Sequence, residues 1–126
     1  MPIKIKQLNH DLLFRLGLSF IFLANSLTAW FSSAEFKELI ANNYLASRLA
    51  GPNLLISFIG INDGLLFLLI AFGKWRKFIA IWATLWILVV IYVTGIRTPD
   101  FIEHLGILFI IGYYFTKTPK QGTVEK

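Results

Sequence analysis

The sequence has no cysteine among its 126 residues. A chain without cysteine forms no disulfide and ligates no iron–sulfur cluster, so any redox role must use the chemistry of a partner or a bound cofactor. Histidine is almost as scarce, and His10 and His104 fall near opposite ends of the predicted helices. Because they cannot meet at one iron or zinc ion, we predict no metal site. The sequence also lacks a phosphate-binding loop and a paired-carboxylate motif, which argues against catalytic activity by the chain alone.

Charged side chains are few, at 15% of the sequence, whereas hydrophobic ones make up 56%. A soluble domain of this length could not hide so much apolar surface, so a bilayer must cover it. The length also leaves no room for a separate soluble catalytic domain. We therefore predict a single membrane domain over residues 1–126.

Four apolar segments predict an all-α, polytopic membrane protein built as a four-transmembrane-helix bundle. About 20 apolar residues cross a hydrocarbon core of roughly 30 Å, and three of the segments reach that length or come close to it. The stretch between the first two spans has helical periodicity with one apolar face, which predicts an amphipathic outer helix on the membrane surface. The predicted spans are residues 12–31, 54–73, 78–96 and 101–116, with the outer helix at 33–50 and a cytoplasmic tail at 117–126.

The distribution of basic residues predicts the orientation. Of the 12 Lys and Arg residues, nine lie on the side of both termini: Lys4, Lys6, Arg15, Lys74, Arg76, Lys77, Lys117, Lys120 and Lys126. The other three are Lys37, Arg48 and Arg97. By the positive-inside rule, both termini of this multi-pass chain are cytoplasmic and the membrane is the inner (cell) membrane. The net charge of +5 therefore indicates lipid headgroups as a partner and not nucleic acid.

Asp63 is the main candidate for a functional residue, because it lies near the middle of the second predicted span. A charge at that depth costs at least about 2.5–3.5 kcal/mol. Gly60 and Gly64 form a small-xxx-small pattern on the same side, so we expect another helix to approach there and Asp63 to face the bundle interior. At 1.5 Å per residue, Asn25 lies at a similar depth, whereas Arg15 lies nearer the cytoplasmic boundary.

Asn25 is therefore the predicted hydrogen-bond partner of Asp63, and Arg15 is expected to reach the cytoplasmic headgroups instead. A buried aspartate without a full counter-charge is expected to be protonated at neutral pH. Two interpretations stay open. Asp63 is either a proton-linked or ligand-binding carboxyl, with Asn25 and Arg15 as further candidates, or a side chain that joins helices by a hydrogen bond.

Two further groups of residues have a functional and a structural interpretation each. Arg48, Arg97, Glu103 and His104 are predicted to form an outer polar cluster, which is either a site or ordinary ion pairing at the interface. A flat quinone or isoprenoid pocket is the functional interpretation of a set of aromatic residues, and packing is the alternative. This set is Trp82, Trp86, Tyr92, Tyr113 and Tyr114.

Two stretches resemble the DoxX-like membrane proteins. They are residues 14–22, FRLGLSFIF, and residues 63–73, DGLLFLLIAFG, which are followed by the basic turn Lys74-Trp75-Arg76-Lys77. The resemblance implies four transmembrane helices, an acidic residue on the second span and an arginine on the first. Asn25-Ser26-Leu27-Thr28 departs from the pattern, because the family usually has a glycine and a lysine late in the first span.

The resemblance also implies a function, as an accessory subunit of a quinone-linked oxidoreductase system or a membrane protein of unassigned activity. A soluble oxidoreductase would then be the partner and quinone the candidate cofactor. The alternative is a small proton-coupled transporter that uses Asp63, for which a homodimer would supply two carboxyls. A structural assembly factor is the third hypothesis.

Overall fold

The computed structural model describes residues 9–96 and 99–116, and this part of the chain is helical without a strand. Three of its helices, His10–Phe31, Pro52–Phe72 and Arg76–Thr94, are long and apolar enough to cross a membrane. Arg97 and the predicted tail at 117–126 lie outside the described residues. The helices are α1 His10–Phe31, α2 Ala34–Asn42, α3 Ala46–Leu49, α4 Pro52–Phe72, α5 Arg76–Thr94 and α6 Pro99–Thr116.

Each long helix begins two residues before the predicted apolar segment. The reason is the same in all four cases: the first turn carries polar residues or proline, which helix geometry favours and hydropathy does not register. Asn9 accepts a hydrogen bond from the Leu12 N–H at 3.2 Å and so caps α1. Pro52 opens α4 directly after Gly51, and Gly73, in the left-handed conformation at φ +73°, ends it.

The outer segment contains two helices and not the single helix predicted over residues 33–50. Asn43 interrupts it, because its side-chain oxygen accepts from the Ala46 N–H at 2.9 Å and so stabilises a turn in place of a continued helix. Beside this turn, Ile40 of α2 is buried against Ala29 of α1 and Ile56 of α4. The outer segment is thus packed on the ends of the long helices.

The long helices associate as two antiparallel pairs, α1 with α4 and α5 with α6. Small residues bring α1 and α4 together: the Ser26 hydroxyl donates to the Gly60 carbonyl at 2.7 Å. A Cβ at Gly60 would lie 2.6 Å from the Trp30 indole, and one at Gly64 would lie 3.3 Å from the Ser26 oxygen. The structure therefore confirms that the Gly60-x-x-x-Gly64 pattern marks a close helix contact.

The two pairs meet through larger side chains. The backbones of α4 and α5 approach each other closely at few positions. Tryptophan side chains of α5 fill the space between them. The fully buried core lies between the pairs and is formed by Leu18, Phe22, Leu66, Ile70, Ile79, Ala80, Ala83, Ile87, Ile107, Ile111 and Tyr114.

Candidate functional site

Asp63 lies in the middle of α4 and is only 2% exposed. It is 11 residues from Pro52, which corresponds to about 16 Å along a helix of roughly 31 Å. The adjacent Asn62 is 5% exposed. An apolar helix therefore carries two consecutive buried polar side chains halfway along its length.

A short chain of hydrogen bonds connects these two residues to α5. The Trp82 indole N–H donates to the Asn62 side-chain oxygen at 2.9 Å. The Asn62 amide in turn donates to the Asp63 carboxyl at 3.4 Å, which is a long and weak hydrogen bond. Trp86 also lies near this carboxyl, and its ring packs edge-on against Phe58 at 5.7 Å between centroids. We refer to Asn62, Asp63, Trp82 and Trp86 as the Asp63 site.

Asn25 is not part of this site, so the prediction that it binds Asp63 is wrong. Within residues 9–96 and 99–116, the two side chains form no hydrogen bond. The depth was estimated well, since the neighbouring Ser26 contacts Gly60. The direction of the Asp63 side chain was not estimated well. Gly60 faces α1, and Asp63 is rotated from Gly60 by about 60° around the axis of α4, toward α5.

Every partner of Asp63 in the Asp63 site is a neutral donor. Both ion pairs between described residues involve Asp11, and neither involves Asp63. Arg15 has protein partners at the end of the bundle, and its expected contact with the headgroups stays a prediction. Its Nε pairs with Asp11 at 2.9 Å, and its Nη1 donates to the Ala71 carbonyl in the last turn of α4.

A second polar group, which the sequence did not predict, lies at this end of the bundle. The carboxylate of Asp11 pairs with Arg76 as well as with Arg15. Arg76 is 5% exposed, and its guanidinium lies 4.9 Å from the centre of the Tyr114 ring. The four-residue spacing of Asp11 and Arg15 was the available signal, since such residues are neighbours on a helix. We call Asp11, Arg15, Arg76 and Tyr114 the arginine cluster.

The predicted outer polar cluster does not form among its three described members. Arg48 lies over the Tyr44 ring, with its guanidinium carbon 4.2 Å from the centroid. In the described ranges, no ion pair or hydrogen bond joins Arg48, Glu103 and His104. Tyr44, four residues before Arg48, gives this arginine a local partner, so it needs no contact with α6. Arg97 lies outside the described residues.

The aromatic residues suggested for a quinone pocket are also separated. Trp82 and Trp86 belong to the Asp63 site, Tyr114 belongs to the arginine cluster at one end of the bundle, and Tyr92 is 57% exposed toward the other end of α5. At 2% exposure, Asp63 leaves no open space beside it for a quinone ring. The Asp63 site as folded therefore does not fit a quinone.

Comparisons of the chain with protein-family models, with curated proteins and with solved structures find no match.

Proposed function

We propose that this chain is a four-span protein of the inner membrane and a small proton-coupled carrier in which Asp63 takes up and releases the proton. The observation that carries the proposal is a 2% exposed carboxyl in the middle of an apolar helix, contacted by neutral donors. An ionisable group at that depth is costly, and such residues commonly serve in proton relays.

The position of Asp63 between the two helix pairs supports coupling of its protonation to helix packing. A carboxylate binds N–H donors more strongly than a neutral acid does, but it is also more costly to bury. Loss of the proton from Asp63 would therefore change both the attraction to Trp86 and the need for water at the α4–α5 contact. A carrier requires such a link between protonation and the relative position of its halves.

The fourth span in this proposal is α6. Its 18 residues extend over about 27 Å, close to the thickness of a hydrocarbon core. The charged residues Asp100 and Glu103, with His104, lie in its first two turns, where they can reach the interface. Because α6 packs antiparallel to α5, the end of α6 lies on the same side of the membrane as the start of α1.

A topology test follows from this four-span proposal. Reporters of cytoplasmic or external location, fused at Lys126 and inserted near Asn42, are expected to report opposite sides, with Lys126 cytoplasmic. The physical reason is the nine-to-three distribution of basic residues. Reporters that give the same side at both positions would rule out three spans after the outer segment and, with them, the four-span proposal.

The accessory role in a quinone-linked oxidoreductase system is the second candidate. It is supported by the DoxX-like resemblance of residues 14–22 and 63–73. A soluble oxidoreductase or quinone that copurifies with the chain in mild detergent, or an oxidoreductase gene beside its own, would favour this role. A homodimer without either molecule would favour the carrier.

Infrared titration in lipid tests the carrier proposal directly. A protonated carboxyl has a C=O band separate from that of a carboxylate, and the parent protein should show one buried band that disappears as pH is raised. Asp63→Asn should lack this band, whereas Glu103→Gln, a change at an exposed acid of α6, should retain it. If no band lost in Asp63→Asn titrates over the pH range in which the protein stays folded, Asp63 does not exchange a proton and the proposal fails.

A further inference from the structure

The turn between α4 and α5 has a backbone conformation that the packing of its side chains does not explain. Trp75 has φ +54°, and it is the only described residue other than glycine with a positive φ. A residue with a Cβ pays a free-energy cost for this left-handed conformation, which glycine and asparagine adopt more readily. The Trp75 side chain is 71% exposed, so contacts inside the bundle do not offset that cost. A partner outside the chain is therefore the candidate for the contact that favours a tryptophan here.

Exposed aromatic side chains flank Trp75 on both helices. Phe72, in the last turn of α4, is 73% exposed, and Phe78, in the first turn of α5, is 63% exposed. Trp75 lies between them at the end of two helices that are apolar enough to cross a membrane. Tryptophan favours the boundary between lipid and water, because its ring is apolar and its N–H can bond to headgroups or water. The surroundings that favour Trp75 are thus those of a lipid headgroup region.

Two lysines give this surface a positive charge that the described part of the protein does not balance. Lys74 and Lys77 are both exposed and lie on either side of Trp75 in the chain. Within residues 9–96 and 99–116, both ion pairs join Asp11 to arginines, so neither lysine has a carboxylate partner there. Two exposed cations beside exposed aromatic rings are complementary to an anion that is attached to apolar chains.

We propose that the turn at residues 73–77 binds the phosphate of an anionic phospholipid, with Lys74 and Lys77 as its cationic partners and the Trp75 ring in the headgroup region. The nine-to-three distribution of basic residues predicts that this turn is cytoplasmic, where anionic lipids attract basic residues near the membrane. The site shares no residue with the Asp63 site, so its test and the test of the carrier proposal can fail independently.

The bound lipid would lie where the two helix pairs are joined. The helix α4 belongs to one pair and α5 to the other, and the turn is the covalent link between them. Protein groups also hold this junction to α1: Arg15 donates to the Ala71 carbonyl, and Asp11 pairs with Arg76. Three helix ends thus meet beside the two lysines. A lipid that binds the folded junction should stabilise the folded protein.

Thermal unfolding of the full chain in a mild non-ionic detergent tests the proposal. A short-chain phosphatidylglycerol should raise the melting temperature at a lower concentration than phosphatidylcholine with the same chains, which has no net charge. Each lysine near an anionic lipid surface changes the affinity about fivefold. Lys74→Gln should therefore raise the half-effective concentration of phosphatidylglycerol about fivefold, and Lys74→Gln with Lys77→Gln roughly 25-fold. The matched control is Lys37→Gln at an exposed lysine of α2, which should leave that concentration unchanged.

Trp75→Gly separates lipid binding from folding. Glycine adopts the left-handed conformation without the cost that tryptophan pays, so this variant should remain folded in detergent alone. It should nevertheless need more phosphatidylglycerol than the parent protein for the same rise in melting temperature, because the ring no longer lies among the headgroups.

Other outcomes overturn the inference. Equal effects of the two lipids would mean a non-specific amphiphile effect, and an equal effect of glycerol phosphate would mean a site for free phosphate. If Lys37→Gln weakens the lipid response as much as Lys74→Gln does, the response depends on net charge and not on the turn. A response of Trp75→Gly equal to that of the parent protein would show that the Trp75 ring does not contact the lipid.

Discussion

Replacement of Asp63 by asparagine is expected to leave the protein folded and to abolish its proton-linked activity. Asparagine has the size of a neutral aspartic acid and can still accept the hydrogen bond from Asn62. It cannot bind or release a proton, so transport should fall to the level of membranes without the protein. The measurement combines thermal stability in detergent with uptake or growth of cells in which the gene is restored.

Asp63→Leu is the companion variant. It removes the contacts with Asn62 and Trp86 as well as the titratable group. Membrane hydrogen bonds contribute about 0.6 kcal/mol on average and at most roughly 1.7 kcal/mol. The substitution also removes a group that is costly to bury, so its net effect on stability should be small and insertion should be normal.

The two variants separate the functional interpretation from the structural one. If Asp63→Asn is fully active, the carboxyl only joins helices and the carrier proposal is wrong. If Asp63→Asn instead unfolds the protein, the carboxylate must be ionised and paired with a cation in the folded state. Asn62→Leu is a useful control, because it breaks the bond to Trp82 while leaving the titratable group in place.

The helices and the close contact of α1 with α4 could be predicted from the sequence because they depend on local patterns. Span positions follow from runs of apolar residues. Gly60 and Gly64 indicate a close helix contact, although they do not indicate which helix is the partner. The helix starts were missed by two residues, because the polar first turns of the long helices carry no hydropathy signal. Asn43 ended the outer helix through a side-chain hydrogen bond that periodicity does not reveal.

The partners of Asp63 could not be predicted in the same way. Depth along a helix follows from residue number, so Asn25 was placed at the correct level. The direction of a side chain depends on which helices become neighbours, and the association of α1 with α4 and of α5 with α6 is a tertiary property. Glycines directed toward α1 turn Asp63 toward α5, where Trp86 meets it.

The arginine cluster was missed for a related reason. Asp11 and Arg76 each lie in the first turn of a helix, where a charged residue normally contacts water or headgroups. Their pairing requires that α1 and α5 begin side by side, although 65 positions separate the two residues. Nothing in the local sequence indicates that arrangement, and the count of basic residues by side of the membrane does not include Asp11.

Gly73→Ala is expected to give a large loss of stability, because the residue is constrained in two independent ways. Gly73 ends α4 at φ +73°, a left-handed conformation that costs a residue with a Cβ roughly 1–2 kcal/mol. A Cβ there would also lie 2.5 Å from Nη1 of Arg15, the atom that donates to the Ala71 carbonyl. Displacing a charged donor from its acceptor costs about 1.5–3 kcal/mol.

The two costs together predict a loss of about 3 kcal/mol, which chemical or thermal unfolding in detergent can measure. Gly17→Ala is the matched control. Gly17 lies on an exposed face in the middle of α1, and a Cβ there meets nothing within 4 Å. This substitution should be neutral or stabilise the protein by up to roughly 1 kcal/mol, because alanine favours a helix more than glycine does.

Two further variants separate the backbone cost from the steric one. Asparagine tolerates the left-handed conformation, so Gly73→Asn should retain only the conflict with Arg15 and lose less stability than Gly73→Ala. In an Arg15→Gln background, the steric contribution to the stability loss of Gly73→Ala should be smaller. The stability losses of Gly73→Ala and Arg15→Gln should therefore not be additive. Additive losses would show that Arg15 does not press on Gly73, and the proposed anchoring of α1 to the end of α4 by this arginine would then be wrong.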